Sequence, residues 1–259
     1  MRWNRRGFGQ ANFLRFVAMV LLCPILLSAQ ATPPVVPSGT RANPAPAEPA
    51  NTPVQSLTPP PVHVMIDAAH GGNESGAILN PALLEKELTL LIAQRLRQEL
   101  ISRGVQCQLV REGDGTLSND QRTAIVNAAH PLLYVSIHVT SQGNGMKIYS
   151  AMLSAGGDDR GPFVDWQTAQ SASLERSRWA QQQLVAVIQN MGFPVRSLTA
   201  QLRPLNNVTV PALAIEIAPT TGEVSQLAST GYQQMIAAAL ANSIAPVIPS
   251  LRMKGGGAP

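Results

Sequence analysis

The chain has 259 residues, 45% of them hydrophobic, and a formal net charge of +4. Four of its 19 basic residues and none of its 15 acidic residues lie in positions 1–31, so the rest of the chain has 15 of each sign. A balanced chain offers no electrostatic attraction to nucleic acid or to an anionic membrane surface. We therefore expect no nucleic-acid partner.

Residues 1–31 have the three parts of a secretory signal peptide. Arginines come first, the apolar run FVAMVLLCPILL follows, and AQA (29–31) has the small-x-small form of a cleavage site. The alternative is a membrane anchor, but the apolar run is about a dozen residues long, short of the roughly 20 that span a bilayer. We expect cleavage after Ala31, export to the periplasm or cell wall, and no stable membrane span afterwards. The pair Arg5-Arg6 leaves both the general and the twin-arginine route open.

The remaining chain divides into three parts. Residues 32–61 are dominated by Pro, Ala, Thr and Ser without periodicity, which predicts a disordered linker. Residues 62–250 form the expected single folded domain, and 251–259 the expected disordered tail. Cys107 is the only cysteine after cleavage, so no internal disulfide is expected.

Strands and helices alternate along the folded domain. Apolar runs predict strands over 62–67, 105–111, 132–138, 146–153 and 212–218, and helical spacing predicts helices over 85–104, 118–129, 173–192 and 231–245. Ser118, with Gln121 three positions later, forms a capping box at the start of the second helix. This order predicts an α/β domain with a central, mostly parallel or mixed twisted sheet and helices on both faces.

Four polar residues fall at informative places in this pattern: His70, Glu85, His138 and Glu216. Two imidazoles and one carboxylate make a three-ligand zinc set with an open fourth position, and a second carboxylate can act as the base that activates water. His70 and His138 follow or end buried strands, where the binding crevice of an open α/β sheet lies. The set therefore indicates a metal-dependent hydrolase.

Other residues near these motifs have competing interpretations. Glu87 is an alternative to Glu85 as the carboxylate ligand, since both lie in the first turn of a helix, where acids also stabilise the dipole. Asp67 is a candidate hydrogen-bond acceptor for the ring of a metal-bound histidine. His63 and His130 have the local settings of structural histidines.

The motifs resemble those of the zinc-dependent N-acetylmuramoyl-L-alanine amidases, the type 3 amidase family that cuts bacterial peptidoglycan. The resemblance rests on DAAHGG (67–72), LLEKEL (83–88), SIHVTS (136–141) and PALAIEIAP (211–219), with Arg122 and Asn127 at family positions on the helix between them. It extends from about Val62 to Ala245.

This resemblance implies that His70, Glu85 and His138 bind zinc and that Glu216 is the catalytic acid/base. It makes 62–250 a zinc amidase domain whose substrate is the amide between N-acetylmuramic acid and L-alanine. We expect a monomer and leave the need for an activator protein open. The segment 154–171 is too short for a long regulatory insertion. A zinc peptidase or deacetylase acting on another amide, and a non-catalytic wall-binding module, remain as alternatives.

Overall fold

A computed structural model describes residues 62–153 and 168–255. The chain divides into two units, of which Ser56–Pro259 contains all of these residues. In chain order the elements are β1 (Val64–Ala68), β2 (Ile78–Asn80), β3 (Leu83–Leu84), α1 (Glu85–Ser102), β4 (Cys107–Leu109), α2 (Asn119–Ala129), β5 (Leu133–Val139), β6 (Gly145–Ala151), α3 (Leu174–Asn190), β7 (Val195–Ala200), β8 (Ala212–Ala218), α4 (Thr230–Ile244) and α5 (Ile248–Gly255).

Six of the strands form one mixed sheet in the order β4-β1-β5-β8-β6-β7. β4, β1, β5 and β8 are parallel to one another, β6 is antiparallel to β8, and β7 is parallel to β6. β2 and β3 form a separate antiparallel pair just before α1. The predicted α/β class with a central mixed sheet is confirmed.

Alternate residues of the central strands face two hydrophobic layers. One layer is larger and packs Ile66, Val135 and Ile215 against α1, α3 and α4. The other packs Met65 and Tyr134 against α2 and the segment before β8. Because both faces of the sheet are covered, the sequences of these strands are continuous apolar runs. Such runs allowed the strands to be predicted from the sequence. Helices do lie on both faces, though unequally.

The second helix begins as its sequence predicts. The Ser118 hydroxyl accepts a hydrogen bond from the Gln121 N–H at 3.2 Å, and the Gln121 side-chain oxygen accepts one from the Ser118 N–H at 2.8 Å. This reciprocal pair is the capping box, and it satisfies two backbone donors that helix formation leaves without partners. It fixes the start of the helix that carries Arg122.

Some features differ from the sequence prediction, including the unpredicted strand pair β2–β3. β7 was not predicted, because its residues are mostly exposed at the sheet edge and lack an apolar pattern. The tail expected to be disordered from residue 251 is helical as far as Gly255, because Leu251 is buried in the main core. The expected signal peptide (1–31), the expected linker (32–61), the segment 154–167 and residues 256–259 lie outside the described residues.

The helical stretch that closes the domain is rich in apolar residues. Among the described residues, one helical stretch, Thr230–Lys254, is long and apolar enough to cross a membrane. Its buried residues, including Ile236, Leu240 and Ile244, pack in the main core against α1 and α3. Burial inside the domain accounts for the apolar composition of this stretch.

Replacing Ser118 by Ala should lower the free energy of unfolding by about 1 kcal/mol, because the N-cap acceptor is lost. Urea denaturation monitored by circular dichroism measures the change. Ser102→Ala is the matched control, since Ser102 is exposed at the end of α1 and caps no N-terminus. Equal effects of the two substitutions would contradict the capping interpretation.

Candidate metal centre

Polar residues from neighbouring parallel strands meet at one edge of the sheet. His70 lies just beyond β1, His138 lies near the end of β5, and Glu216 lies in β8. The register of β5 and β8 sets His138 directly opposite Glu216. The carboxyl ends of the strands therefore carry these residues, as expected for an open α/β sheet.

The carboxylate of Glu85, the first residue of α1, lies between the two imidazoles. Its Oε2 is 3.2 Å from Nε2 of His70, and its Oε1 is 3.2 Å from Nδ1 of His138. One donor atom from each of the three residues lies within 4.8 Å of the others. The imidazole rings are nearly perpendicular, with centroids 5.5 Å apart. Glu87 is exposed, so of the two candidate acids Glu85 is the one beside the histidines.

Glu85 is held by more than the two histidines. It is only 6% exposed, and its oxygens accept hydrogen bonds from the backbone N–H groups of Ala77 at 2.8 Å and Val139 at 3.2 Å. Burial alone would raise the pKa of this carboxyl, but hydrogen bonds from His138, His70 and Ala77 outweigh it and hold the pKa well below its usual range. The buried group is therefore a carboxylate at neutral pH.

The His70 ring lies between two carboxylates. The hydrogen bond to Glu85 raises the pKa of His70 above its ordinary value, against the effect of burial, and Glu74 adds to the increase. Glu74 Oε1 lies 3.2 Å from Nδ1, the ring nitrogen on the other side from Glu85. An acceptor on that nitrogen orients a metal-binding imidazole. Glu74 was not singled out in the sequence, although its place four residues after His70 is a signal that could have found it.

Space for the imidazole and the carboxylate depends on Gly76. A Cβ atom at this position would lie 2.6 Å from Cδ2 of His70 and 2.7 Å from Oε2 of Glu85. Gly76 also has a left-handed backbone, with φ of 66°. His70 itself is left-handed, with φ of 63°, which is uncommon for a residue with a side chain. Such conformations persist only where the surroundings impose them.

The surroundings of His70 include a buried arginine on α2. Arg122 donates to the carbonyl oxygens of His70 at 2.6 Å and Ala68 at 3.0 Å, and pairs with the Asp67 carboxylate. The Tyr134 hydroxyl donates to the other Asp67 oxygen at 2.7 Å. The sequence suggested that Asp67 accepts a hydrogen bond from a histidine ring. In the structure its partners are instead Arg122, which supplies the compensating charge, and Tyr134. Asp67 and Arg122 act on His70 through its backbone.

A second buried arginine holds the same loop from the other side. Arg111 donates from Nε to the Ala68 carbonyl at 2.8 Å and from Nη2 to the Lys86 carbonyl at 2.7 Å. Asp114 accepts from the Gly72 N–H and from the Lys86 ammonium, each at 2.7 Å. These contacts join segments far apart in sequence, and no local pattern marked Arg111 or Asp114.

Glu216 has a different environment from Glu85. Its side chain is 28% exposed, and its Oε1 lies 2.5 Å from the Nζ atom of Lys147 on β6. Lys147 is directly opposite Glu216 in the antiparallel register of β6 and β8. It was not singled out in the sequence, although a single lysine inside the apolar run MKIYSAML was the available signal.

A small cleft of about 100 Å³ opens over the histidines. Its lining includes His70 and His138 on the sheet, Asn119 at the start of α2, and the loop residues Arg203 and Pro204. The cleft is lined mainly by polar side chains, so it suits a hydrated, polar group. A bound substrate could reach His70 and His138 from this side. These two residues and Glu85 are called the metal-ligand cluster below.

The other two histidines lie away from the cluster. His130 is the C-cap of α2 and has a left-handed backbone. His63 lies beside the Arg252 guanidinium of α5. Neither histidine belongs to the group of possible metal ligands found among the described residues.

The chemistry of the three clustered residues fits zinc. Two imidazole nitrogens and one carboxylate oxygen are donors that catalytic zinc sites use, with three protein ligands and one further position. A buried carboxylate needs hydrogen-bond donors or positive charge beside it. A divalent cation bound by His70, Glu85 and His138 would serve the same purpose.

The chain is similar to known proteins over most of its folded domain. A protein-family model described as N-acetylmuramoyl-L-alanine amidase matches residues 64–246. YqiI of Bacillus subtilis (strain 168) is 30% identical over 204 residues, which are 77% of this chain and 89% of that one. The sporulation-specific N-acetylmuramoyl-L-alanine amidase of the same organism is 32% identical over 189 residues, covering 71% and 67% of the two chains.

A solved structure extends the likeness to three dimensions. The N-acetylmuramoyl-L-alanine amidase AmiC2 of Nostoc punctiforme superposes with a TM-score of 0.55 at 25% sequence identity. The match covers 73% of this chain and 98% of that chain. The sheet and its flanking helices are therefore those of a known fold.

Gly76→Ala should weaken zinc binding by about 10- to 100-fold, because the new methyl group displaces the His70 ring and the Glu85 carboxylate. Titration of metal-free protein with Zn²⁺ measures the affinity. Gly192→Ala is the matched control, since Gly192 also has positive φ, 76°, but a Cβ there meets nothing within 4 Å. The control should lose only stability, by about 1 kcal/mol. Unchanged zinc affinity in Gly76→Ala would contradict the proposed crowding.

Proposed function

The chain belongs to the N-acetylmuramoyl-L-alanine amidase family, and from that premise we propose that it hydrolyses, with zinc, the amide between N-acetylmuramic acid and L-alanine in peptidoglycan. The observation that supports this proposal most is the meeting of two histidines and a buried carboxylate, with Glu216 opposite one of the histidines in the strand register. A fold alone would not indicate an activity, whereas this set of groups has a defined chemistry.

We propose His70, Glu85 and His138 as the zinc ligands. Bound there, zinc would polarise the amide carbonyl and lower the pKa of a coordinated water toward neutrality. Glu85 offers a carboxylate that is already ionised, and Glu74 fixes the ring of His70 from its other nitrogen. Arg122 and Arg111 hold the backbone of the loop that carries His70.

We propose Glu216 as the catalytic acid/base. Its position on β8, directly opposite His138, sets a carboxylate beside the ligand cluster without using it as a ligand. Glu216 would accept a proton from the attacking water on a carboxylate oxygen. It would then deliver that proton to the L-alanine nitrogen as the carbon–nitrogen bond breaks. The lactyl carbonyl carbon is the atom attacked.

The domain organisation fits an enzyme that acts on the wall. We propose that residues 1–31 direct export and are removed, that 32–61 is a linker, and that the catalytic domain starts near residue 62. Peptidoglycan lies outside the cytoplasm, so export to the periplasm or cell wall is a requirement of the proposed activity. We propose that the catalytic domain includes α5, which runs to Gly255, beyond the boundary at residue 250 expected from the sequence.

Zinc removal should abolish peptidoglycan hydrolysis, and adding zinc back should restore it. His138→Ala should lose zinc affinity and activity together, whereas Glu216→Gln should keep zinc and lose about 10²- to 10⁴-fold in rate. Metal content and dye release from labelled peptidoglycan measure the two properties. Full activity of the metal-free protein would remove zinc from the proposal, and near-normal turnover of Glu216→Gln would remove Glu216.

The linkage that is cut provides an independent test. Hydrolysis at the lactyl carbonyl should leave intact glycan strands and release peptides whose new amino end is alanine. Labelling of new amino ends, with identification of the labelled residue by mass spectrometry, measures this. New reducing sugars would indicate a glycosidase, and other labelled residues would indicate an endopeptidase. Zinc binding without any new ends would indicate a wall-binding module.

A further inference from the structure

Four polar or charged residues form a row across four adjacent strands. His138 on β5 is in register with Glu216 on β8, Glu216 with Lys147 on β6, and Lys147 with Arg196 on β7. Residues paired in register are neighbours on the same face of a sheet. The row therefore runs outward from the metal-ligand cluster, through Glu216, to two cations.

The central contact of this row is an ion pair. Nζ of Lys147 lies 2.5 Å from Oε1 of Glu216, and the two side chains are 31% and 28% exposed. A hydrogen bond to Glu216 raises the pKa of Lys147 above its ordinary value. Fully exposed ion pairs contribute little, but this pair is partly buried and lies in one fixed strand register.

Among the described residues, Lys147 is the only hydrogen-bond donor to the Glu216 carboxylate. Glu85 differs, because two backbone N–H groups and two imidazole rings surround its oxygens. Without Lys147, the Glu216 side chain would be free to rotate about its χ angles toward solvent. A displacement of a catalytic group by about 1 Å from its reactive position is enough to slow an enzyme by about 10²-fold.

Arg196 favours the same arrangement. Arg196 lies next to Lys147 in the row, on the side away from Glu216. The Arg196 guanidinium repels the Lys147 ammonium. The ammonium is therefore attracted by Glu216 on one side and repelled by Arg196 on the other. Both forces direct it toward the carboxylate.

We propose that Lys147 is a positioning residue, which holds the Glu216 carboxylate at the metal-ligand cluster and acts on the reaction only through Glu216. The inference rests on the proposed role of Glu216 in amide hydrolysis. Lys147 transfers no proton and binds no metal. It donates to one carboxylate oxygen, Oε1, and leaves the other oxygen available to accept a proton.

Steady-state kinetics of the zinc-loaded protein test the inference. Lys147→Met should lower kcat by about 10- to 100-fold, because an orienting contact is lost, with KM within about twofold and zinc affinity unchanged. Lys147→Arg should restore most of the rate, since it keeps the donor. Lys254→Met is the matched control, because Lys254 is an exposed lysine of α5 outside the site, and it should behave as the unchanged protein.

A double-mutant comparison separates action through Glu216 from a general structural effect. In the Glu216→Gln background, Lys147→Met should cause little further loss. An equal loss in both backgrounds, a loss explained by zinc affinity, or a kcat that is unchanged or raised would overturn the inference. If the unchanged protein releases no alanine-ended peptides, the proposed function fails and the inference fails with it. If it does release them, only the Lys147 results decide the inference.

Chemical labelling provides a measurement that needs no metal and no activity. In metal-free protein, acetic anhydride should modify Lys147 more slowly than Lys254, because pairing with Glu216 keeps the ammonium protonated. Glu216→Gln should speed the labelling of Lys147 and leave that of Lys254 unchanged, as measured by mass spectrometry of the peptides. Equal labelling of Lys147 with and without the Glu216 carboxylate would overturn the pairing in solution.

Discussion

The structure of the site depends on burying one ionised carboxylate, that of Glu85. Removing a carboxylate from water is costly unless hydrogen bonds and positive charge surround it. Backbone N–H groups of Ala77 and Val139 and the rings of His70 and His138 meet this need. The β2–β3 pair and the end of β5 must therefore approach the first turn of α1. The need for positive charge near this carboxylate is also a reason why we propose a metal ion at this cluster.

A second constraint follows from the conformation of His70. The residue has a left-handed backbone, so its loop must be held by contacts outside itself. Two buried guanidinium groups, Arg122 on one side and Arg111 on the other, donate to carbonyl oxygens of this loop. The planar, permanently charged guanidinium can donate to several acceptors at once, which a lysine cannot match. Zinc affinity should therefore depend on residues that never touch zinc.

The sequence predicted the central strands and the clustered residues because both leave local signals. Strands buried on two faces are continuous apolar runs, and a carboxylate such as Glu216 stands out inside one of them. The partners of these residues were not predictable in the same way. Asp67 was a candidate acceptor for a histidine ring, whereas in the structure it pairs with Arg122, 55 positions away. β7 was missed because an exposed edge strand has no apolar period, and Lys147 because its role depends on which strand lies beside β6.

The two glutamates of the site are held very differently, and their proposed roles explain why. A metal ligand must keep one geometry in every state, and Glu85 is buried with a partner on each side. A proton carrier must exchange protons between two atoms, so Glu216 needs partial exposure and freedom at one oxygen. A single charged anchor such as Lys147 restrains the side chain without occupying both oxygens. Rigid ligands and a singly anchored base are thus two solutions to two different chemical demands within one sheet edge.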